Sequence, residues 1–170
     1  GGVFTVLTYI TPMLEQITRV ASRDVSVILL IYGIGTLVGN IVGAKLADRW
    51  LIPTLLGALI VLAVVLSSLT FIIHNPIATI ITFFIWGGSA FASIPPLQMH
   101  ILEKASDAPQ FVSGLNVAAF NMGNALGAFL GGIVIENPSL HLSALPWVAA
   151  LVTFIGVFLT LVSLRIDKKL

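Results

Sequence analysis

The segment from Gly114 to Gly132 reads GLNVAAFNMGNALGAFLGG, and its glycine spacing decides how the chain folds. Gly123, Gly127 and Gly131 are four residues apart, so at helical pitch they share one face and let another backbone approach closely. In water, each glycine inside a helix costs about 1 kcal/mol relative to alanine. In a bilayer, where unpaired backbone groups are too costly, the helix persists and its glycines become a packing surface. The segment therefore predicts a membrane-spanning helix built for close contact.

The composition of the 170-residue chain is typical of a polytopic membrane protein. Hydrophobic residues make up 58% and charged residues 9%, whereas a soluble domain carries about 25% charged residues. The net charge of +1 gives no reason to expect nucleic acid as a partner. The chain has no cysteine, which excludes disulfides and thiol chemistry. Its histidines are His74, His100 and His141, and because they are far apart in sequence we expect no metal site and no cofactor.

Six apolar spans predict an all-α helix bundle without a soluble domain. The first span is shorter than the roughly 20 residues that cross a bilayer, and it lacks the basic start of a signal peptide. We therefore expect it to be the second half of a helix whose first half lies upstream. Short polar breaks, among them KLADRW at 45–50, separate the spans. The predicted spans are 1–14, 25–44, 53–73, 77–101, 111–135 and 145–164.

Lysine and arginine are unevenly distributed among these breaks, which predicts the orientation in the membrane. Cytoplasmic loops carry an excess of both residues, and one of the two orientations places six of them inside and two outside. The C-terminus is therefore expected in the cytoplasm. The inner residues are Lys45, Arg49, Lys104, Arg165, Lys168 and Lys169, and the outer ones are Arg19 and Arg23.

A short internal repeat links the second and fifth spans. The second contains VGNIVGAKL and the fifth contains MGNALGAFL, which share the pattern G-N-x-x-G-A-x-L. Gly39 therefore matches Gly123, and Gly43 matches Gly127. Because spans that are three apart run in opposite directions, the pattern predicts two inverted three-helix repeats. Inverted repeats are typical of secondary transporters.

Polar and aromatic residues follow one face of spans one, two, four and five, whereas the third and sixth spans carry no such stripe. Amides can exchange hydrogen bonds with a sugar or nucleoside hydroxyl, and aromatic rings can stack on a sugar or a flat drug. The same residues are equally open to plain packing between helices. These groups suit a neutral polar substrate. No full span contains a charged residue, so we expect that this chain does not carry a coupling proton. The predicted cavity-lining residues are Tyr9, Trp86, Ser89, Asn116, Phe120 and Asn121.

Taken along its whole length, the chain resembles the C-terminal half, helices seven to twelve, of a major facilitator superfamily permease. The glycine pattern of residues 114–132 is similar to the family's antiporter glycine motif, with Ala128 where the family has proline. The segment GAKLADR at 43–49 is similar to the family's loop motif, although the family's glycine falls on Ala44 and its basic cluster is absent. The phrase SGLNVAAFNMGNALGAFLGG also looks like the arabinose-efflux and sugar-efflux permeases of the drug–proton antiporter branch.

The resemblance implies half of a twelve-helix transporter that works by alternating access in a bacterial cytoplasmic (inner) membrane. It implies proton-coupled efflux of a neutral polar or drug-like molecule. The partners are then the missing N-terminal six-helix half, the lipid bilayer, the small-molecule substrate and the proton. The alternative is a structural membrane subunit of a larger complex, and no cluster of acid, base, nucleophile or metal ligands indicates an enzyme. The residues assigned to gating or helix packing are Gly39, Gly43, Asp48, Arg49, Gly123, Gly127 and Gly131.

Overall fold

The computed structural model describes residues 1–18, 20–104, 108–137 and 140–167, and all regular structure within those ranges is helical. The expected all-α helix bundle is therefore confirmed. The elements are α1 Gly2–Leu7, α2 Ile10–Met13, a π-helical turn Leu14–Thr18, α3 Ser22–Ile72, α4 Pro76–Ala92, α5 Ile94–Lys104, α6 Pro109–Glu136, a 3-10 turn Leu142–Ala144 and α7 Leu145–Asp167.

Helix α3 contains the second and third predicted spans, joined by a kink. Its 51 residues would be about 75 Å long if straight, more than twice the ~30 Å thickness of the hydrocarbon core. Trp50 has non-helical backbone angles, φ −141° and ψ 69°. Pro53 is the physical cause, because it has no N–H and its ring crowds the carbonyl of Arg49. Residues 22–49 are called the first arm, and residues 51–72 the second arm.

The predicted break over KLADRW needs correction. The segment is helical up to Arg49, and the interruption is confined to Trp50. Alanine, leucine, lysine and arginine are good helix formers, so the polarity of this segment ends the apolar stretch without ending the helix.

Prolines also interrupt the first and fourth predicted spans. The first is divided between α1 and α2, and the fourth is divided between α4 and α5. A proline cannot donate to the carbonyl four residues earlier, and its ring pushes that carbonyl away. Pro12 therefore disturbs the helix at Thr8, and Pro96 disturbs it at Ala92.

The apolar core lies between the first helices, α3, α4 and α7. Its largest fully buried side chains include Trp86, Phe83, Met13 and Leu66. Of the described residues in α6, Val134 alone belongs to this cluster. Helix α6 therefore lies at the edge of the bundle and keeps most of its surface exposed.

The first arm of α3 packs against α4 through direct backbone contact at glycines. A Cβ atom added at Gly39 would overlap the backbone of Gly88. The contacts repeat every four residues, and the residue numbers rise together on both helices, so the two helices run parallel. The pairs are Gly35 with Phe84, Gly39 with Gly88, and Gly43 with Ala92.

Helix α6 packs against α1 in the same way. A Cβ atom at Gly127 would overlap the carbonyl of Gly1, and one at Gly131 would lie 2.8 Å from the carbonyl oxygen of Thr5. These pairs also rise together, so α1 and α6 run parallel. The second span thus packs on the fourth, and the fifth span packs on the first. Because the first and second spans of one unit correspond to the fourth and fifth spans of the other, the two contacts are equivalent, as two inverted three-helix units require.

The contact at Gly39 can be tested by adding one methyl group. Gly39→Ala should lower the free energy of unfolding by about 1–3 kcal/mol, the usual cost of overpacking, because α3 and α4 must move apart. The matched control is Gly33→Ala on the same helix, where nothing lies within 4 Å of an added Cβ atom. Thermal melting in detergent measures both variants, and equal destabilisation by the two would contradict the close contact.

Candidate functional site

The first helix of each three-helix unit is interrupted, and these two interruptions define the candidate site. The break between α1 and α2 lies at Thr8 and Tyr9, and the break between α4 and α5 lies at Ser93. Substrate sites of many transporters are built on helices that are discontinuous in corresponding positions of two repeats. Such breaks leave carbonyl groups that the helix no longer satisfies, next to side chains that can turn toward a ligand.

Tyr9 joins the first break to α6. Its backbone is non-helical, with φ −115° and ψ 21°, and its N–H donates to the carbonyl of Val6 at 3.0 Å. Its ring lies against Gly131, where an added Cβ atom would come within 2.6 Å of a ring carbon. Its hydroxyl donates to the carbonyl of Ala128 at 3.2 Å. Tyr9, predicted as a substrate residue, is thus engaged with α6 in this structure.

Tyr9 also lines a cavity of about 590 Å³ at one end of the bundle. The 3-10 turn and the π-helical turn supply the opposite walls, with Gln16, His141 and Ser143 among the polar groups. This cavity lies beside the first break.

The second break opens on a smaller cavity of about 220 Å³. It forms where α1, the second arm, α4, α5, α6 and α7 meet. Apolar walls with a few polar groups are the usual make-up of small-molecule sites. Its lining includes Phe91, Ser93, Phe120, Asn124 and Thr153.

Phe120 is the predicted site residue that lines this smaller cavity, and its side chain is 39% exposed. Asn116 is half-buried on the same helix, and Asn121 is exposed. The sequence prediction omitted Asn124, Ser93 and Thr153. The sequence does mark Ser93 as a site residue, because the proline pair that follows it predicts a break in the helix. No pattern in the sixth span marks Thr153, whose position at the cavity is known only from the structure.

Trp86 and Ser89 are interior residues of α4. Trp86 has no exposed surface and packs against Tyr32 and Phe83, with ring centroids 4.8 and 5.3 Å away. The hydroxyl of Ser89 donates to the carbonyl of Trp86 at 3.1 Å. In this structure Trp86 offers no surface to a ligand, and Ser89 lies instead at an apolar groove between α3 and α4. The predicted site residues are therefore distributed over several places.

Most hydroxyls of the polar stripes are satisfied within their own helices. The Thr8 hydroxyl donates to the carbonyl of Phe4, and the Thr82 hydroxyl donates to the carbonyl of Ala78, each at a distance of 2.8 Å. Serine and threonine in helices commonly bond in this way to the carbonyl three or four residues earlier. The same pattern holds for Thr5, Thr36, Ser89 and Ser93. These hydroxyls are therefore satisfied within single helices and form no network between helices.

The residues assigned to packing and gating fall into two groups. Gly39, Gly43, Gly127 and Gly131 lie in the parallel helix contacts described above, and Gly123 lies beside Gly1 on the α1–α6 side. Asp48 and Arg49 are exposed at the end of the first arm, next to the kink.

The helices define a class of protein. Four helical segments within the described ranges are long and apolar enough to cross a membrane, and one of them is the bent α3, which is long enough for two crossings. The chain is thus a polytopic helical membrane protein.

The chain belongs to the Major Facilitator Superfamily, whose family model matches residues 1–170. It is 41% identical over 165 residues to the inner membrane transport protein YdhP of Escherichia coli strain K12, covering 97% of this chain and 42% of that protein. It is 38% identical over 173 residues to YtbD, an MFS-type transporter of Bacillus subtilis strain 168, covering 99% of this chain and 43% of YtbD.

A third relative is named for its substrate. The chain is 28% identical over 160 residues to a "Probable sugar efflux transporter" of Mannheimia succiniciproducens, covering 92% of this chain and 40% of that protein. The chain thus spans about two-fifths of the length of the curated relatives it matches.

The contact between Tyr9 and α6 can be tested by a double-mutant cycle. Tyr9→Phe removes one hydrogen bond and should cost about 0.5–1.5 kcal/mol, and Gly131→Ala displaces the ring and should cost about 1–3 kcal/mol. Because both changes act on the same contact, their effects on the free energy of unfolding should fail to add by at least about 0.5 kcal/mol. Gly114→Ala is the control on α6, since nothing lies within 4 Å of its added Cβ atom. Additive effects would refute the contact.

Proposed function

We propose that this chain is the C-terminal six-helix half of a secondary active transporter that exports a neutral polar or drug-like small molecule by alternating access. The observation that carries the proposal is the pair of interrupted first helices, one in each of two inversely related units. Membership of the Major Facilitator Superfamily and the names of the relatives support it.

The substrate is held by hydrogen bonds and stacking. The predicted spans contain no charged residue, so nothing at their centre would bind a substrate by charge. In this proposal Asn116 and Asn121 supply amides, and Tyr9 and Phe120 supply rings. Trp86 and Ser89, which were also predicted to line the cavity, are interior residues of α4 in this structure. One relative is named for sugar efflux, and a sugar fits this set of groups.

The coupling ion in this proposal is the proton, and its carrier lies outside this chain. A buried proton carrier needs an ionisable side chain near the membrane centre, and the predicted spans supply no carboxylate. We therefore place the coupling carboxylate in the N-terminal half. That half also covers α6, whose exposed amides would be unfavourable in hydrocarbon.

Rocking between inward- and outward-facing states uses the glycine contacts. Backbone contact at Gly39 and Gly127 provides smooth surfaces along which parallel helices can shift. Asp48 and Arg49, exposed beside the kink at Trp50, meet the N-terminal half at the cytoplasmic gate.

The orientation can be tested by cysteine labelling, because the natural chain has no cysteine. Ala108→Cys should be protected from an impermeant maleimide in intact cells, and Ser143→Cys should react. Both residues are exposed, so accessibility within the protein does not limit the reaction. Permeabilised cells are the control, in which both variants should react. The reverse pattern would overturn the cytoplasmic C-terminus.

Transport can be tested in proteoliposomes with an imposed proton gradient and a panel of sugars, nucleosides and drugs. Flux is expected with the N-terminal half present and not with this chain alone, since alternating access needs two bundles. In the complete protein, Asn116→Ala should weaken substrate affinity roughly fivefold, the value of one hydrogen bond. Gly33→Ala, which touches nothing, is the matched control. Flux from this chain alone would refute the half-transporter proposal, and no flux in either case would favour a structural subunit.

A further inference from the structure

A cavity of about 650 Å³ lies at the end of the bundle where the second arm begins and where α5 and α7 end. It contains neither of the two breaks, at Tyr9 and at Ser93, and has no role in the transport mechanism proposed above. Its rim is polar and its walls are aliphatic. The polar groups are His100, Glu103, Lys104 and Arg165.

The rim favours an anion. Among the described residues that line the cavity, two are basic, Lys104 and Arg165, and one is acidic, Glu103. Arg165 is exposed and makes no ion pair with any residue that the structure describes. Its planar guanidinium can donate two parallel hydrogen bonds to a phosphate, which makes arginine the preferred residue for phosphate recognition.

The walls favour an acyl chain. Leu161 precedes Arg165 by four residues and Leu164 by three residues on α7, so Leu161 is a helix neighbour of both. Leu51 and Leu56 of the second arm form the opposite wall. A free phosphate would make no apolar contact with these leucines. An acidic peptide segment would bury its carboxylates against them, which is unfavourable in free energy.

We propose that this cavity binds an anionic glycerophospholipid. The phosphate lies on Arg165 and Lys104, and one acyl chain lies along the leucines of α7 and the second arm. The bound lipid joins the ends of three helices that are distant in sequence. Positive charge beside apolar helix ends is the usual arrangement for recognition of anionic lipid headgroups. In the proposed orientation the cavity faces the cytoplasmic leaflet, but binding requires only an anionic leaflet on that side.

The test is binding of dioleoyl-phosphatidylglycerol, with dioleoyl-phosphatidylcholine as the neutral comparison, to the purified full-length membrane protein. Native mass spectrometry at increasing lipid concentration gives both affinities. Phosphatidylglycerol should bind more tightly, Arg165→Gln should lower its affinity about fivefold, and Arg165→Gln with Lys104→Gln should lower it about twenty-fivefold. Affinity for phosphatidylcholine should change little.

The matched control is Arg23→Gln, which removes an exposed cation paired with Asp24 and outside this cavity, and should leave lipid affinity unchanged. Leu56→Trp narrows the cavity and should weaken binding of the lipid, while glycerol phosphate should not compete. Melting in phosphatidylcholine verifies that each variant is folded. Equal affinity for the two lipids, equal effects of Arg165→Gln and Arg23→Gln, or full competition by glycerol phosphate would each overturn the proposal. Because no transport is measured, none of these results depends on the proposed function.

Discussion

The backbone contact between parallel helices at glycine is the constraint on which the rest of this structure depends. In a bilayer the lipid is as apolar as the helix surface, so association is governed by close packing and hydrogen bonds. At Gly39 the two backbones are so close that a single methyl group has no room. The same holds at Gly127 and Gly131, where α6 meets α1. The glycines that would weaken a soluble helix therefore determine which helices are neighbours.

These two contacts also explain where the chain is irregular. Because the first arm of α3 and the whole of α6 run uninterrupted along their partners, the interruptions fall on the partner helices, at Tyr9 and Ser93. Proline causes both breaks, and the intact neighbour holds the broken segments in place. At the first break the support is visible as the Tyr9 ring against Gly131 and its hydroxyl on Ala128. A continuous helix beside a discontinuous one thus fixes the position of each break in the bundle.

Much of this arrangement could be predicted from the sequence, because it depends on local chemistry. Apolar length, the four-residue glycine spacing and the repeat at Gly39 and Gly123 are properties of one segment at a time. The candidate site was less predictable. Helical periodicity shows which residues share a face of one helix, but it does not show which other helix packs against that face. Trp86 shares a stripe with polar residues yet is fully buried beside Tyr32, and Thr153 lines a cavity from a span without a stripe. The chain kinks at Trp50, inside the predicted break over KLADRW, but it stays helical up to Arg49 because polar residues end an apolar stretch without ending a helix.

The polar groups of the helices differ in how far the chain itself satisfies them. Hydroxyls of serine and threonine donate to carbonyls of their own helices. Their free-energy cost in hydrocarbon is therefore small, and their presence does not indicate a binding site. An asparagine amide has two donors and an acceptor, which a helix backbone cannot satisfy in this way. Asn121 is exposed on α6, the helix with the least core contact. Asn121 thus carries this hydrogen-bonding capacity on the least covered helix, which is the surface that the proposed N-terminal half covers.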